Sequence, residues 1–109
     1  MDKEIMKGSI DILILSLLTR KNMYGYELAK SIKKESDDLY DMGEGTLYPA
    51  LKRLESKGYL KSYWEVAKTG KRRKYYAITE DGEKILKKKL ENWKSLNRLV
   101  LKVSREAFS

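Results

Sequence analysis

The sequence predicts a mainly helical α+β chain: three short helices, a β-hairpin, and one long final helix. Three observations predict it. Apolar residues recur at the three-and-four spacing of a helical face in Ile10–Leu18, Leu28–Ile32 and Leu47–Leu54. The texture then turns aromatic and β-favouring on both sides of Gly70. After Gly82 neither proline nor glycine interrupts a run in which Leu86, Trp93, Val100 and Ala107 stand seven residues apart.

Composition bounds the function. At 109 residues and 41% hydrophobic, the chain has a modest core and one main unit. We expect a division at Thr79, with residues 1–78 as one unit and 79–109 as an appended helix. The formal net charge is +8, from 24 basic and 16 acidic residues, which suits a polyanionic partner or an anionic surface. There is no Cys and no His. Thiol catalysis, disulfides, Cys/His zinc sites and histidine acid–base chemistry are therefore excluded. We expect no cofactor and no metal. The apolar run Ile10–Leu18 is too short to span a bilayer and holds Asp11 and Ser16, so no membrane segment and a cytoplasmic location are expected.

In the first helix Ile10, Leu13, Ile14, Leu17 and Leu18 share a stripe, with Ile12 and Leu15 off it. A helix apolar nearly all round is buried on more than one side, and the second side fits a partner subunit. Ser9 caps its start, or Asp2 if the helix begins earlier. The second helix buries Leu28, Ala29 and Ile32, opens at Tyr24 and Gly25, and turns Lys30, Lys33 and Lys34 outward. Glu35, Asp37, Asp38, Asp41 and Glu44 form an acidic connector without calcium-loop spacing, which reads as a solvated loop.

The third helix lies in GEGTLYPALKRLESKGYL. Proline is tolerated in a first turn, so Pro49 sets the start near Gly45 or Thr46, with Thr46 as N-cap. Gly58 ends it. Opposite the stripe of Leu47, Ala50, Leu51 and Leu54 lie Thr46, Tyr48, Lys52, Arg53 and Ser56. Hydroxyls followed by cations suit a nucleic-acid groove, although an ordinary surface helix carries the same residue types. Arg53 has Glu55 or Glu35 as alternative ion-pair partners.

YLKSYWEV and RKYYAIT then flank the turn AKTGKR, and five of the seven residues from Lys68 to Lys74 are basic. The adjacent pairs Tyr63–Trp64 and Tyr75–Tyr76 leave the buried face of this hairpin open. Thr79 caps the last helix, whose first turn holds Glu80 and Asp81 where the helix dipole favours acids. That helix spans about 40 Å at 1.5 Å per residue. Its stripe of Leu86, Trp93, Val100 and Ala107, with Leu90, Leu96 and Val103 beside it, outruns what a three-helix core covers and needs another chain.

The order of elements fits a winged helix-turn-helix whose third helix reads duplex DNA and whose basic hairpin lies over phosphates or an adjacent minor groove. In its residues too the chain resembles a known family. The segments YGYEL, TLYPALKRLE, GYL and RRKYY together resemble the PadR-like winged-helix transcriptional regulators, in the branch with a single C-terminal helix. The resemblance implies a homodimer joined through the first and last helices, here Leu13 and Leu17 with Leu86, Leu90, Trp93, Leu96, Val100 and Val103. It implies a repressor of transporter or stress genes, and of its own promoter, acting at an inverted-repeat operator. DNA contacts then map onto Thr46, Tyr48, Lys52 and Arg53 of the reading helix and Lys71, Arg72, Arg73 and Lys74 of the wing. Tyr24 is a further phosphate contact. Members of that branch hold flat aromatic or multidrug-type compounds between paired tryptophans, which points to Trp93, Leu96 and Asn97. Asn97 is neutral and supplies no counter-ion for a cationic ligand, and Trp93 also reads as plain interface packing. The rival class is a winged-helix module that binds protein. An enzyme is disfavoured, since nothing supplies a nucleophile or base.

Overall fold

The computed structural model describes residues 8–108. Along the chain run α1 (Ile10–Arg20), β1 (Met23–Tyr24), α2 (Gly25–Glu35), α3 (Glu44–Ser56), β2 (Leu60–Val66), β3 (Arg72–Ile78) and α4 (Glu80–Ser104). The strands form one antiparallel sheet in the order β1-β3-β2. The core gathers around α1, where Ile14 and Leu15 are fully buried against Leu28 of α2, Leu47, Leu51 and Leu54 of α3, and Leu60 and Tyr76 of the sheet. Leu15, expected off the stripe, is inside, while Leu13 and Ile12 are only half-buried. α1 packs against α2, α3, α4 and the sheet, so its apolar arc is wider than one stripe. Leu17, expected at a subunit interface, is buried in the protomer's own core. Ser9 stands at the N-cap, but its side chain accepts no capping hydrogen bond. Asp2, its alternative, lies outside the described residues.

The third helix starts earlier than Pro49 suggests. Gly43 is the N-cap and Glu44 the first helical residue, so Thr46 sits inside the first turn rather than capping it. Its N–H, like that of Leu47, donates to the Gly43 carbonyl. Pro49 is therefore an interior proline. Proline supplies no N–H to the carbonyl four residues back, which belongs to Gly45, and both residues are exposed at the surface. The helix ends as expected. Gly58 has φ 81°, its N–H donates to the Glu55 carbonyl, and that of Tyr59 donates to the Leu54 carbonyl, both at 3.0 Å.

The hairpin turns over Ala67–Gly70, with Gly70 at φ 85°. Its register pairs Leu60 with Ile78, Ser62 with Tyr76, Tyr63 with Tyr75 and Trp64 with Lys74. One face carries Leu60, Ser62, Trp64, Arg72, Lys74 and Tyr76 and packs inward at its base. The other carries Tyr63, Arg73 and Tyr75. Thr79 caps α4 and ties it to the loop after α3: its Oγ1 accepts from Gly82 N–H at 3.0 Å and donates to the Gly58 carbonyl at 2.7 Å. α4 is buried only at Gly82 and Leu86, and from Glu91 onward every described residue is exposed. Among the described residues, no helix is long and apolar enough to cross a membrane.

Candidate nucleic-acid interface

Helical geometry sorts the surface of α3. Stepping 100° per residue, the buried set Leu47, Ala50, Leu51 and Leu54 defines the inward direction. Diametrically opposite lie Gly45, Pro49, Lys52 and Ser56. Thr46 and Arg53 fall on one flank, toward α1, and Tyr48 and Glu55 on the other, toward the wing. The residues expected to act as one polar face are thus divided among three directions, and Lys52 alone among the expected contacts stands on the outermost strip.

Each flank is tied down. On the wing side Glu55 accepts from Ser62 Oγ and lies 3.7 Å from Lys74 Nζ, which fixes the hairpin against α3. On the α1 side Arg53 pairs with Asp11, so neither Glu55 nor Glu35 is its partner. Glu35 instead pairs with Arg20 at 2.7 Å. Tyr48 is 45% exposed, yet its ring lies on Gly25, where a Cβ would come within 2.7 Å of the phenol oxygen. Glycine at the start of α2 is what lets Tyr48 of α3 approach that N-terminus.

The basic run of the wing divides as well, because strand residues alternate in direction. Arg72 lies over the Trp64 ring at 4.8 Å and Lys74 over Tyr76 at 5.6 Å, on the α3 side. Arg73 points to the other face and lies 4.6 Å above Tyr24, which stacks edge-on with Tyr75. Tyr63 stacks on Tyr75 in turn and accepts from Asn22 Nδ2 at 3.0 Å. Tyr24 is the N-cap of α2, so this aromatic row sets a guanidinium beside a helix N-terminus, a position that suits a phosphate. Lys68 and Lys71 are exposed at the tip. The phenol of Tyr76 is pushed above its ordinary value of 10.0 by burial, then by Glu55 and Tyr48. Tyr24 was the only member of the row expected from sequence, since the packing of Tyr63 and Tyr75 follows from strand register.

On the α1 flank of α3 a cleft of about 400 Å³ lies between α1 and α4. Trp93, Leu96 and Asn92 line it together with Asp11, Arg53 and Lys89. Asn97 does not reach it, and an acid, Asp11, does; the sequence pointed to neither fact. A larger hollow of about 780 Å³ borders Tyr40, Thr46, Pro49 and Arg53 and opens onto the acidic connector.

Three helices, a hairpin packed on the third of them, and cations on both faces of that hairpin define a winged helix-turn-helix regulator. The profile of the transcriptional regulator PadR-like family matches residues 14–88. A transcriptional regulator from Clostridium thermocellum superposes with a TM-score of 0.85 at 44% identity, over 92% of this chain and 97% of that one. A PadR family regulator from Eggerthella lenta superposes with a TM-score of 0.85 at 36% identity, over 94% and 88%. The negative transcriptional regulator PadR of Bacillus subtilis is 28% identical over 80 residues, which span 73% of this chain and 42% of that protein. The chain belongs to the PadR-like family, whose members are DNA-binding transcriptional regulators and not enzymes.

Proposed function

We propose that the protein is a homodimeric repressor that sets α3 of each protomer into successive major grooves of an inverted-repeat operator. Among its targets we place transporter or stress genes and its own promoter, and we place its action in the cytoplasm. The observation that carries the reading is the outer strip of α3, with Lys52 at its centre, joined on its wing side by Arg73 over Tyr24 and Arg72 over Trp64. Lys52, Tyr48, Tyr24, Arg72 and Arg73 are the first-rank contacts; Thr46, Arg53, Lys71 and Lys74 stand at the margin. Half-sites then lie about one turn of duplex apart, ~34–36 Å. Repression, rather than activation, follows the function carried in the name of the Bacillus subtilis relative.

The dimer reading rests on α4. Trp93, Leu96, Val100 and Val103 are 48%, 59%, 53% and 74% exposed at heptad-related positions, a stripe that a second copy buries. Leu90 and Leu13 extend it, whereas Leu17 and Leu86 are already buried within the protomer. A planar aromatic effector enters the cleft beside Trp93 and relieves repression by binding the DNA-free arrangement more tightly than the bound one. The decisive experiment is protection mapping on the gene's own upstream duplex, with and without a panel of planar aromatics. It is joined to quenching of Trp93 fluorescence in a Trp64→Phe background. Protection of two symmetric half-sites, lost on adding a quenching compound, supports the reading. Equal affinity for random duplex at physiological salt would turn it toward the protein-binding module.

A further inference from the structure

We propose that Asp11 is a positioning residue that sets the distance between the two reading helices, and hence the half-site spacing the dimer accepts. The inference rests on the reading of α3 as the groove element and α4 as the dimer helix. Asp11 stands in the first turn of α1, and its side chain is 19% exposed. One carboxylate oxygen accepts from Arg53 Nη2 on α3. The other lies 3.8 Å from Lys89 Nζ on α4. A single side chain thus ties the helix that meets DNA to the helix that meets the partner.

The apolar face of α3 does not by itself fix its rotation. Burial of Leu47, Leu51 and Leu54 is non-directional, and a small roll about the helix axis keeps them inside. Directional contacts hold the two flanks instead, at Glu55 toward the wing and at Arg53 toward α1. Releasing the Asp11 side leaves α3 gripped only from the wing and leaves two cations beside a neutral group. The roll carries the outer strip of α3 sideways in both protomers, and the two-fold axis makes the two displacements of the groove-facing side chains add. The same carboxylate lines the cleft under Trp93, so a ligand there touches the joint directly.

The test uses the full chain carrying Asp11→Asn, with fold checked by circular dichroism and dimer mass by sedimentation. The probes are duplexes bearing the two protected half-sites at native separation, or moved one base pair closer or further apart, and a duplex with a single half-site. The expected result is a loss of discrimination between separations by about fivefold, the scale of a partly exposed ion pair. Freeing Arg53 and removing one negative charge shift affinity for the single half-site and for all three separations alike, and so cancel in the ratio. Lys89→Met, which leaves α1 and α3 untouched, moves the same ratio in the same direction, and Asp11→Glu restores it. A merely structural role lowers thermal stability and leaves the ratio alone. An unchanged ratio in a folded, dimeric Asp11→Asn overturns the proposal, and if that variant does not fold, the ratio for Lys89→Met decides. Failure of the wild-type protein to prefer one separation removes the DNA reading of α3 first, and this proposal with it.

Discussion

Replacing Gly82 with alanine tests how α4 is seated. A Cβ at Gly82 would stand 2.2 Å from the Tyr59 carbonyl oxygen and 2.7 Å from Ile78 Cγ1, where ordinary contact begins at 3.4 Å. The junction must open by more than about 1 Å. Neither neighbour yields readily, because the Tyr59 carbonyl also accepts from Thr79 N–H at 3.1 Å and Ile78 is paired with Leu60 in the sheet. Overpacking costs about 1–3 kcal/mol, and a 2.2 Å approach to a backbone oxygen puts this case at the upper end, about 2–3 kcal/mol, against a helix-propensity gain of about 1 kcal/mol on leaving glycine. The gain applies only if α4 keeps its first turn, where Gly82 N–H donates to Thr79 Oγ1. We expect a net loss of about 1–2 kcal/mol and a fall in Tm of roughly 10 °C, read by urea and thermal unfolding at one fixed protein concentration. Gly25→Ala is the internal contrast. There the obstructing atoms belong to the half-exposed Tyr48 ring, which can swing away. That variant should unfold within about 0.5 kcal/mol of wild type yet bind operator less well, as Tyr48 leaves its place on α3. A Gly82→Ala protein as stable as wild type would refute the seating argument.

Three further outcomes follow from the same geometry. Arg73→Ala should reduce the slope of log affinity against log salt by about one and weaken all duplexes alike, measured by titration across salt concentrations; an unchanged slope removes Arg73 from the phosphates. Val100→Glu should leave the protomer folded, since the side chain is exposed there, while sedimentation shows monomer because two like charges meet across the stripe. A dimer that persists would place the interface elsewhere. Tyr76 has a folded pKa raised above 10.0, so its contribution is fully present below pH 10 and is lost as pH rises through the folded value. Tyr76→Phe should therefore flatten the alkaline limb of the stability profile, followed by urea midpoints, and an identical limb would discount its burial.

Much of the fold was legible because several residues act through local chemistry alone. Thr79 caps, Gly58 and Gly70 take positive φ, and Leu47 to Leu54 keep helical spacing; none of these needs tertiary context. Pro49 misled by a residue or two because the rule against interior proline assumes a crowded carbonyl four residues back, and here that residue is an exposed glycine. Leu15 falls off the predicted stripe because period alone does not count how many neighbours surround α1, and the family resemblance sets Leu17 at a subunit interface, whereas the protomer's own core buries it. In the candidate site, residue types were readable and directions were not. Arg72, Arg73 and Lys74 are one basic run in sequence, but strand alternation places them on two faces, over three different aromatic rings.

Arg53 shows most clearly why the remainder was not legible. Sequence proximity offered Glu55, and the preceding helix offered Glu35, as partners on charge alone. Both acids are taken: Glu55 by Ser62 and Lys74, Glu35 by Arg20. The acid that remains is 42 residues away, on the helix packed across α3, and only the crossing of α1 with α3 brings it near. Pairing follows from which flank a side chain occupies, not from how far along the chain its partner lies. The same rule places Lys89 at Asp11 and so makes one carboxylate the meeting point of three helices.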